Sequence, residues 1–215
     1  MISVDALLFD LDGTLIDSKK DLALSVQQLQ RRYRVSVNSE SEIGAFIGDG
    51  VVKLVQRALP RLPERDWDEA VSAFKHFYRR HCLDHTKLYP GVRTVLQHFK
   101  GKKMAVVTNK PVRISAHLLD ALGVSSSFQV LIGGDSLPQK KPHPEPVVSA
   151  LKTLGLGRSK RAVMVGDGPN DVAAGRAAGI FTCAIRSNIG DPKKLRQSEP
   201  DFWLKRIADL PHHFY

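Results

Sequence analysis

From residue 89 onward, short apolar runs alternate with helical stretches, and this alternation constrains the fold more than any other feature of the chain. Tyr89-Pro90-Gly91 opens the region. Ala105-Val106-Val107-Thr108 reads as a strand, and Ile114 to Leu122 as a helix ended by Gly123. Val130-Leu131-Ile132 is a strand and Pro146 to Leu154 a helix. Ala162-Val163-Met164-Val165 is a strand, Val172 to Ala178 a helix, and Phe181 to Ile185 a further strand. The pattern predicts a parallel sheet with helices on both faces, a doubly wound, Rossmann-like α/β fold.

One strand stands apart from this series. Ala6-Leu7-Leu8-Phe9 is a buried apolar run that closes on Asp10-Leu11-Asp12-Gly13-Thr14-Leu15. Between it and Tyr89 the periodicity is helical. Leu22, Val26, Leu29 and Tyr33 share one face; Val51, Leu54, Val55 and Ala58 share another; Trp67, Val71, Phe74 and Tyr78 mark a third helix. Pro60 and Pro63 break the chain between the last two. The expected organisation is an α/β core from residues 1–16 and 85–215, with residues 17–84 inserted as a helical cap over the carboxyl edge of the sheet.

Composition narrows the class. The chain has 215 residues, enough to bury a proper core, and 42% of them are hydrophobic. No apolar stretch approaches the roughly 20 residues that span a bilayer. Met1-Ile2-Ser3-Val4-Asp5 has no basic segment ahead of its apolar run, so no secretory signal is expected. Cys82 and Cys183 lie far apart, which argues for a reducing compartment, and a cytoplasmic location is expected. The net charge is +10. Its cations fall in short groups, such as Arg31-Arg32 and Lys193-Lys194, without an aromatic stripe. Such a surface favours small anionic substrates over nucleic acid, and a monomer or homodimer is expected.

In a parallel sheet the carboxyl ends of the strands share one edge. That edge would gather Asp10 and Asp12, then Thr108 and Asn109, then Lys141, then Gly166-Asp167-Gly168-Pro169-Asn170-Asp171. Clustered carboxylates repel one another and call for a cation. An all-oxygen donor set suits Mg²⁺, and Mg²⁺ beside Lys141 makes a pocket for a phosphoryl group.

Asp10-Leu-Asp12-Gly-Thr-Leu, Val107-Thr108-Asn109-Lys110, Lys141-Pro-His-Pro and Gly166-Asp167-Gly-Pro-Asn-Asp171 resemble the four ordered motifs of the haloacid dehalogenase superfamily. An insert just after the first motif matches its helical-cap subclass. Leu15-Ile16-Asp17-Ser18, Phe46-Ile47-Gly48-Asp49-Gly50-Val51 and Gly133-Gly134-Asp135 look most like phosphoglycolate phosphatases. The resemblance implies that Asp10 attacks phosphorus and that Asp12 protonates the leaving alkoxide and then activates water. It implies Mg²⁺ on Asp10, the Asp12 carbonyl and Asp167, with Asp171 orienting the metal's waters and Lys141. Thr108, the Asn109 N–H and Lys141 would hold the phosphoryl oxygens. Dehalogenases expel halide and lack the second aspartate, so Asp12 points to phosphate esters. Gly168 stands where many relatives carry Ser or Thr.

The implied substrate is a small phosphorylated metabolite, foremost 2-phosphoglycolate. Alternatives are a sugar-phosphate phosphatase, a pyrophosphatase or a β-phosphoglucomutase-like mutase, and, from the charge alone, a phosphatase that processes nucleic acid. A non-catalytic role would not require the complete set of polar residues. Gly48, Asp49, Gly50 and Lys53 could select the leaving group, although the glycines could equally serve a turn and Lys53 the surface. Lys53 and Arg113 could meet a substrate carboxylate, although a surface role is expected for both, as for Lys140. His81, Cys82 and His85 make a poor zinc set. His212-His213 reads as a mobile tail.

Overall fold

The computed structural model describes residues 1–157 and 161–215. Strand β1 (Ala6–Phe9) leads into the short β2 (Ile16–Asp17). Helices α1 (Lys19–Arg32), α2 (Glu40–Gly44), α3 (Val51–Ala58) and α4 (Trp67–His81) precede β3 (Lys87–Leu88). Then follow α5 (Val92–His98), β4 (Lys103–Val107), α6 (Val112–Ala121), β5 (Val130–Ile132) and α7 (Glu145–Thr153). Strand β6 (Ala162–Gly166), α8 (Pro169–Ala177), β7 (Phe181–Ile185), α9 (Pro192–Gln197) and β8 (Phe202–Leu204) come last.

The main sheet is six-stranded, parallel throughout, and ordered β5-β4-β1-β6-β7-β8. Alternation along each strand feeds two cores. Leu7 and Phe9 join Val106, Val163 and Val165 on one face, with Val95 and Leu118 from α5 and α6. Ala6 and Leu8 join Ala105, Val107 and Met164 on the other, with Val147, Leu151 and Ala174 from α7 and α8. Helices on both faces explain why β1 is apolar at every position and all four of its residues are buried. The order places β1 between β4, reached after the insert, and β6, reached after the chain crosses back. The carboxyl ends of those strands therefore flank the switch point where ligands bind in such sheets.

The structure departs from the reading of the sequence at the sheet edge and at the C-terminus. Strand β8 (Phe202-Trp203-Leu204) adds a sixth strand at the edge that the alternating pattern did not include. It is pinned by Asp201 Oδ2, which accepts from Thr182 N at 2.8 Å and from Thr182 Oγ1 at 2.7 Å. The C-terminus is docked rather than mobile. Ile2 N donates to His213 O at 2.7 Å, Val4 N donates to Tyr215 O at 3.0 Å, and Phe214 is fully buried.

The helical segment rises from a two-stranded antiparallel ribbon, in which Ile16 pairs with Leu88 and Asp17 with Lys87. Inside it α1 packs on α4. Buried Asp21 ties α1 to the returning chain: its Oδ2 accepts from His85 N at 3.0 Å and from Thr86 N and Oγ1, both at 2.8 Å. No described helix is long and apolar enough to cross a membrane.

Candidate active site

The first motif is a turn that only glycine completes. Gly13 has φ +83°, and a Cβ there would lie 2.0 Å from Asp167 Oδ2. The tight turn thus brings the ends of β1 and β6 into contact. Register does the rest. Phe9 lies opposite Val106 of β4 and Val165 of β6, so Asp10, Thr108 and Asp167 emerge at neighbouring levels of one edge.

Asp10, Asp167 and Asp171 each place a carboxylate oxygen within 4.8 Å of the others. Buried Lys141 is wedged among them. Its Nζ lies 2.9 Å from Asp10 Oδ1, and it donates to Asp171 Oδ1 at 2.5 Å and to Val107 O at 2.6 Å. Burial alone would lower the Lys141 pKa, but Asp10 and Asp171 outweigh it and keep the amine protonated. One ammonium does not balance three carboxylates. Burial, then repulsion from Asp171, raises Asp10 to about 6 against the pull of Lys141. Burial, then Asp10 and Asp171, holds Asp167 well above the usual carboxylate range.

Such a cluster fits a divalent cation. Asp10 Oδ1 is buried and has no aligned hydrogen bond, its approach to Lys141 being a charge contact only. Asp167 is held at both oxygens, by Thr14 Oγ1 at 3.2 Å and Ser187 Oγ at 2.6 Å, with lone pairs to spare. Asp171 is committed elsewhere. Its Oδ1 takes Lys141, and its Oδ2 takes the Gly168 N–H at 3.0 Å, capping α8. It positions the lysine, while Asp10 and Asp167 face the space a hard cation would fill.

The remaining residues fall into two groups. Asp12 turns away from the cluster: its Oδ1 accepts from Ser18 Oγ at 2.5 Å and its two oxygens from Lys110 Nζ at 2.9 and 3.0 Å. Thr108 Oγ1 accepts from Lys110 N at 3.2 Å, which leaves the hydroxyl proton free to donate. Asn109 is spent on tethering. Its Nδ2 donates to Lys141 O at 2.9 Å and to Gly48 O, on the helical segment, at 3.0 Å.

The Gly48–Gly50 loop does reach the core. Asn170 Nδ2 donates to Asp49 Oδ1 at 2.6 Å, and Lys140 Nζ to Asp49 O at 2.7 Å. Lys140 is therefore half-buried and engaged rather than solvated. Burial opposes the Asp49 charge, but hydrogen bonds from Asn170 and Arg57 hold its carboxyl below the ordinary range. Lys53 is not brought in; it points outward from α3 and does not line the cavity. Arg113, expected at the surface, is exposed and also lines the cavity wall.

Several residues take roles that the sequence did not assign. Gly133-Gly134-Asp135 braces the turn that carries Thr108 and Asn109. A Cβ at Gly134 would lie 2.2 Å from Asn109 O, and Asp135 Oδ1 caps α6 by accepting from Val112 N at 2.7 Å. Lys110 and Ser18 stood within motifs without an assigned role, Tyr78 lay on an apolar helix face, and Ser187 carried no signal. The cavity that Lys110 and Tyr78 help enclose measures about 1070 Å³, with Lys75, Arg79 and Arg113 among the cations on its walls.

Residues 7–185 match the family of haloacid dehalogenase-like hydrolases. The chain belongs to that family. It is 36% identical over 214 residues to a phosphoglycolate phosphatase of Chromobacterium violaceum, covering 96% of this chain and 95% of the relative. A phosphoglycolate phosphatase of Aquifex aeolicus is also 36% identical, over 95% of this chain and 93% of its own. Among solved structures, a protein described as a predicted phosphoglycolate phosphatase from Haemophilus somnus superposes with a TM-score of 0.92 at 32% identity, over 97% of both chains.

Proposed function

We propose that this hydrolase cleaves small phosphate monoesters through an aspartyl-phosphate on Asp10, with 2-phosphoglycolate as its substrate. The observation that carries the chemistry is the pairing of a buried carboxylate cluster around Lys141 with a second aspartate, Asp12, held apart from it. The substrate is supported by relatives that bear the name phosphoglycolate phosphatase.

The chain's own residues divide the work. An Asp10 carboxylate oxygen attacks phosphorus as the bond from phosphorus to the ester oxygen breaks. The departing oxygen takes the electron pair and a proton from Asp12. Asp12, now a carboxylate, removes a proton from water as that water attacks the phosphoryl group, releasing phosphate and restoring Asp10. Lys141, the Thr108 hydroxyl and the Asn109 N–H hold the phosphoryl oxygens in line. Mg²⁺, held by Asp10, the Asp12 carbonyl and Asp167, would neutralise the cluster and polarise the phosphoryl group. The helical segment 17–84 acts as a cap, and the Asp49 contacts with Asn170 and Lys140 fasten it over the site to exclude water.

Phosphate release across a panel of 2-phosphoglycolate, sugar phosphates, nucleotides and pyrophosphate tests the reading. The expected result is a kcat/KM for 2-phosphoglycolate above all others, abolished by chelation and restored by Mg²⁺. Undiminished turnover in excess chelator would contradict the metal assignment. Asp12→Asn is expected to lower kcat by roughly 10²- to 10⁴-fold and to slow breakdown of the acid-trapped phosphoenzyme. Asp49→Ala removes a charge-assisted bond made only when the cap is down. It is expected to lower kcat/KM by about tenfold while the urea midpoint stays close to that of the wild type. An unchanged kcat/KM would show that the latch does not govern closure.

A further inference from the structure

Two buried polar groups beside Asp12 have no part in the steps above. Lys110 is 7% exposed, with its Nζ on both Asp12 oxygens and 4.5 Å from the centroid of the Tyr78 ring. An ammonium carries three donors, and Asp12 is its sole acceptor among the described residues. The Tyr78 hydroxyl, on α4, is buried and has no hydrogen-bond partner among the described residues. Both residues line the cavity, Lys110 from the turn after β4 and Tyr78 from the helical segment. A buried hydroxyl without a partner, on a ring that a buried ammonium overlies, is costly unless an acceptor reaches it.

We infer that Lys110, with the Tyr78 hydroxyl as its second donor, binds a carboxylate on the leaving group and so selects 2-phosphocarboxylates. The inference rests on the phosphatase reading of the site. Its geometry follows from the chemistry of such a substrate. Asp12 must reach the ester oxygen to protonate it, and a single carbon separates that oxygen from the carboxylate. A cation in contact with Asp12 is therefore where the carboxylate arrives.

Lys75, Arg79 and Arg113 also line the cavity, but Lys110 is the cation paired with Asp12 among the described residues, and three others are committed elsewhere. Lys141 serves Asp10, Asp171 and Val107 O, Lys140 serves Asp49 O, and Arg57 serves Asp49 and Phe46 O. Lys53 lies outside the cavity. The pairing also joins the two parts of the molecule, since the carboxylate would meet Lys110 from the core and Tyr78 from the insert at once.

The test compares kcat/KM for 2-phosphoglycolate and for ethyl phosphate, which has the same ester linkage and no carboxylate, in the wild type and in Lys110→Met, Lys110→Arg and Tyr78→Phe. A charge-assisted contact predicts a wild-type preference on the order of 10- to 100-fold. Lys110→Met should reduce that ratio to within about twofold of unity, with ethyl phosphate turnover reporting that the variant is folded. Lys110→Arg should restore part of it, and Tyr78→Phe should reduce it by about fivefold.

A wild-type ratio retained in Lys110→Met overturns the inference and leaves the phosphatase reading standing. A wild type without preference overturns both the inference and 2-phosphoglycolate as substrate, and absence of phosphate release from either ester overturns the phosphatase reading with them. Should Lys110→Met be inactive on both esters, an unchanged ratio in Tyr78→Phe overturns the inference, and a reduced one supports it.

Discussion

Asp10→Asn is expected to cut phosphate release by at least ~10⁴-fold while the protein remains folded. The amide keeps the shape of the side chain but is no nucleophile, so the covalent step is lost rather than slowed. The same change should stabilise the metal-free protein. Asp10 is held at about 6 against an ordinary 3.8, so between those values the native state binds more protons than the unfolded chain. Stability contributed by this group therefore falls as pH rises through that window, and the penalty is complete above about 6. Without Mg²⁺, Asp10→Asn should melt above the wild type at pH 7.5, and the gap should close below pH 4. Added Mg²⁺ should raise the wild-type melting temperature more than that of the variant. Turnover near the wild-type level, with contamination excluded, would remove Asp10 from the nucleophile's role.

Lys141→Met carries the largest expected cost in stability. The side chain is 2% exposed and surrounded by Asp10, Asp171 and Val107 O. Removing one partner of a buried charge cluster leaves the others uncompensated, at a cost of ~3–5 kcal/mol. For a chain of this size that corresponds to a fall of roughly 10 °C in melting temperature. Scanning calorimetry in Mg²⁺-free buffer measures it. The variant should regain more stability on adding Mg²⁺ than the wild type does, because the ion replaces the missing positive charge. A melting temperature within about 2 °C of the wild type would mean that the carboxylates are neutral in the absence of metal.

The sheet and most of the core site were legible in the sequence because their signals are local. The apolar runs are three to five residues long, and three of them end in a polar group, so Asp10, Thr108 and Asp167 could be assigned to strand ends without knowing their neighbours. Parallel topology then required those ends to meet, and the structure brings them to one edge. The same logic failed for β8, a short run bounded by the charged Asp201 and Lys205, and for the C-terminus, where a polar His212-His213 pair concealed the burial of Phe214.

The contacts around Asp12 and Asp49 lay beyond reach for a different reason. Lys110 meets Asp12 across 98 positions of sequence, and Asn170 meets Asp49 across 121. Nothing in the neighbourhood of Lys110 says whether its side chain points to solvent or into the site; that depends on where α4 sets the Tyr78 ring. The motif singled out Lys141, which is buried among carboxylates, but Lys140, expected at the surface, fastens a loop. By itself the sequence determined the α/β alternation, the glycine turn and the residue types that a phosphoryl site needs, because strand period, turn chemistry and donor type are properties of short segments. Only the tertiary structure decided which cation stands beside which carboxylate, because that depends on elements brought together from opposite ends of the chain.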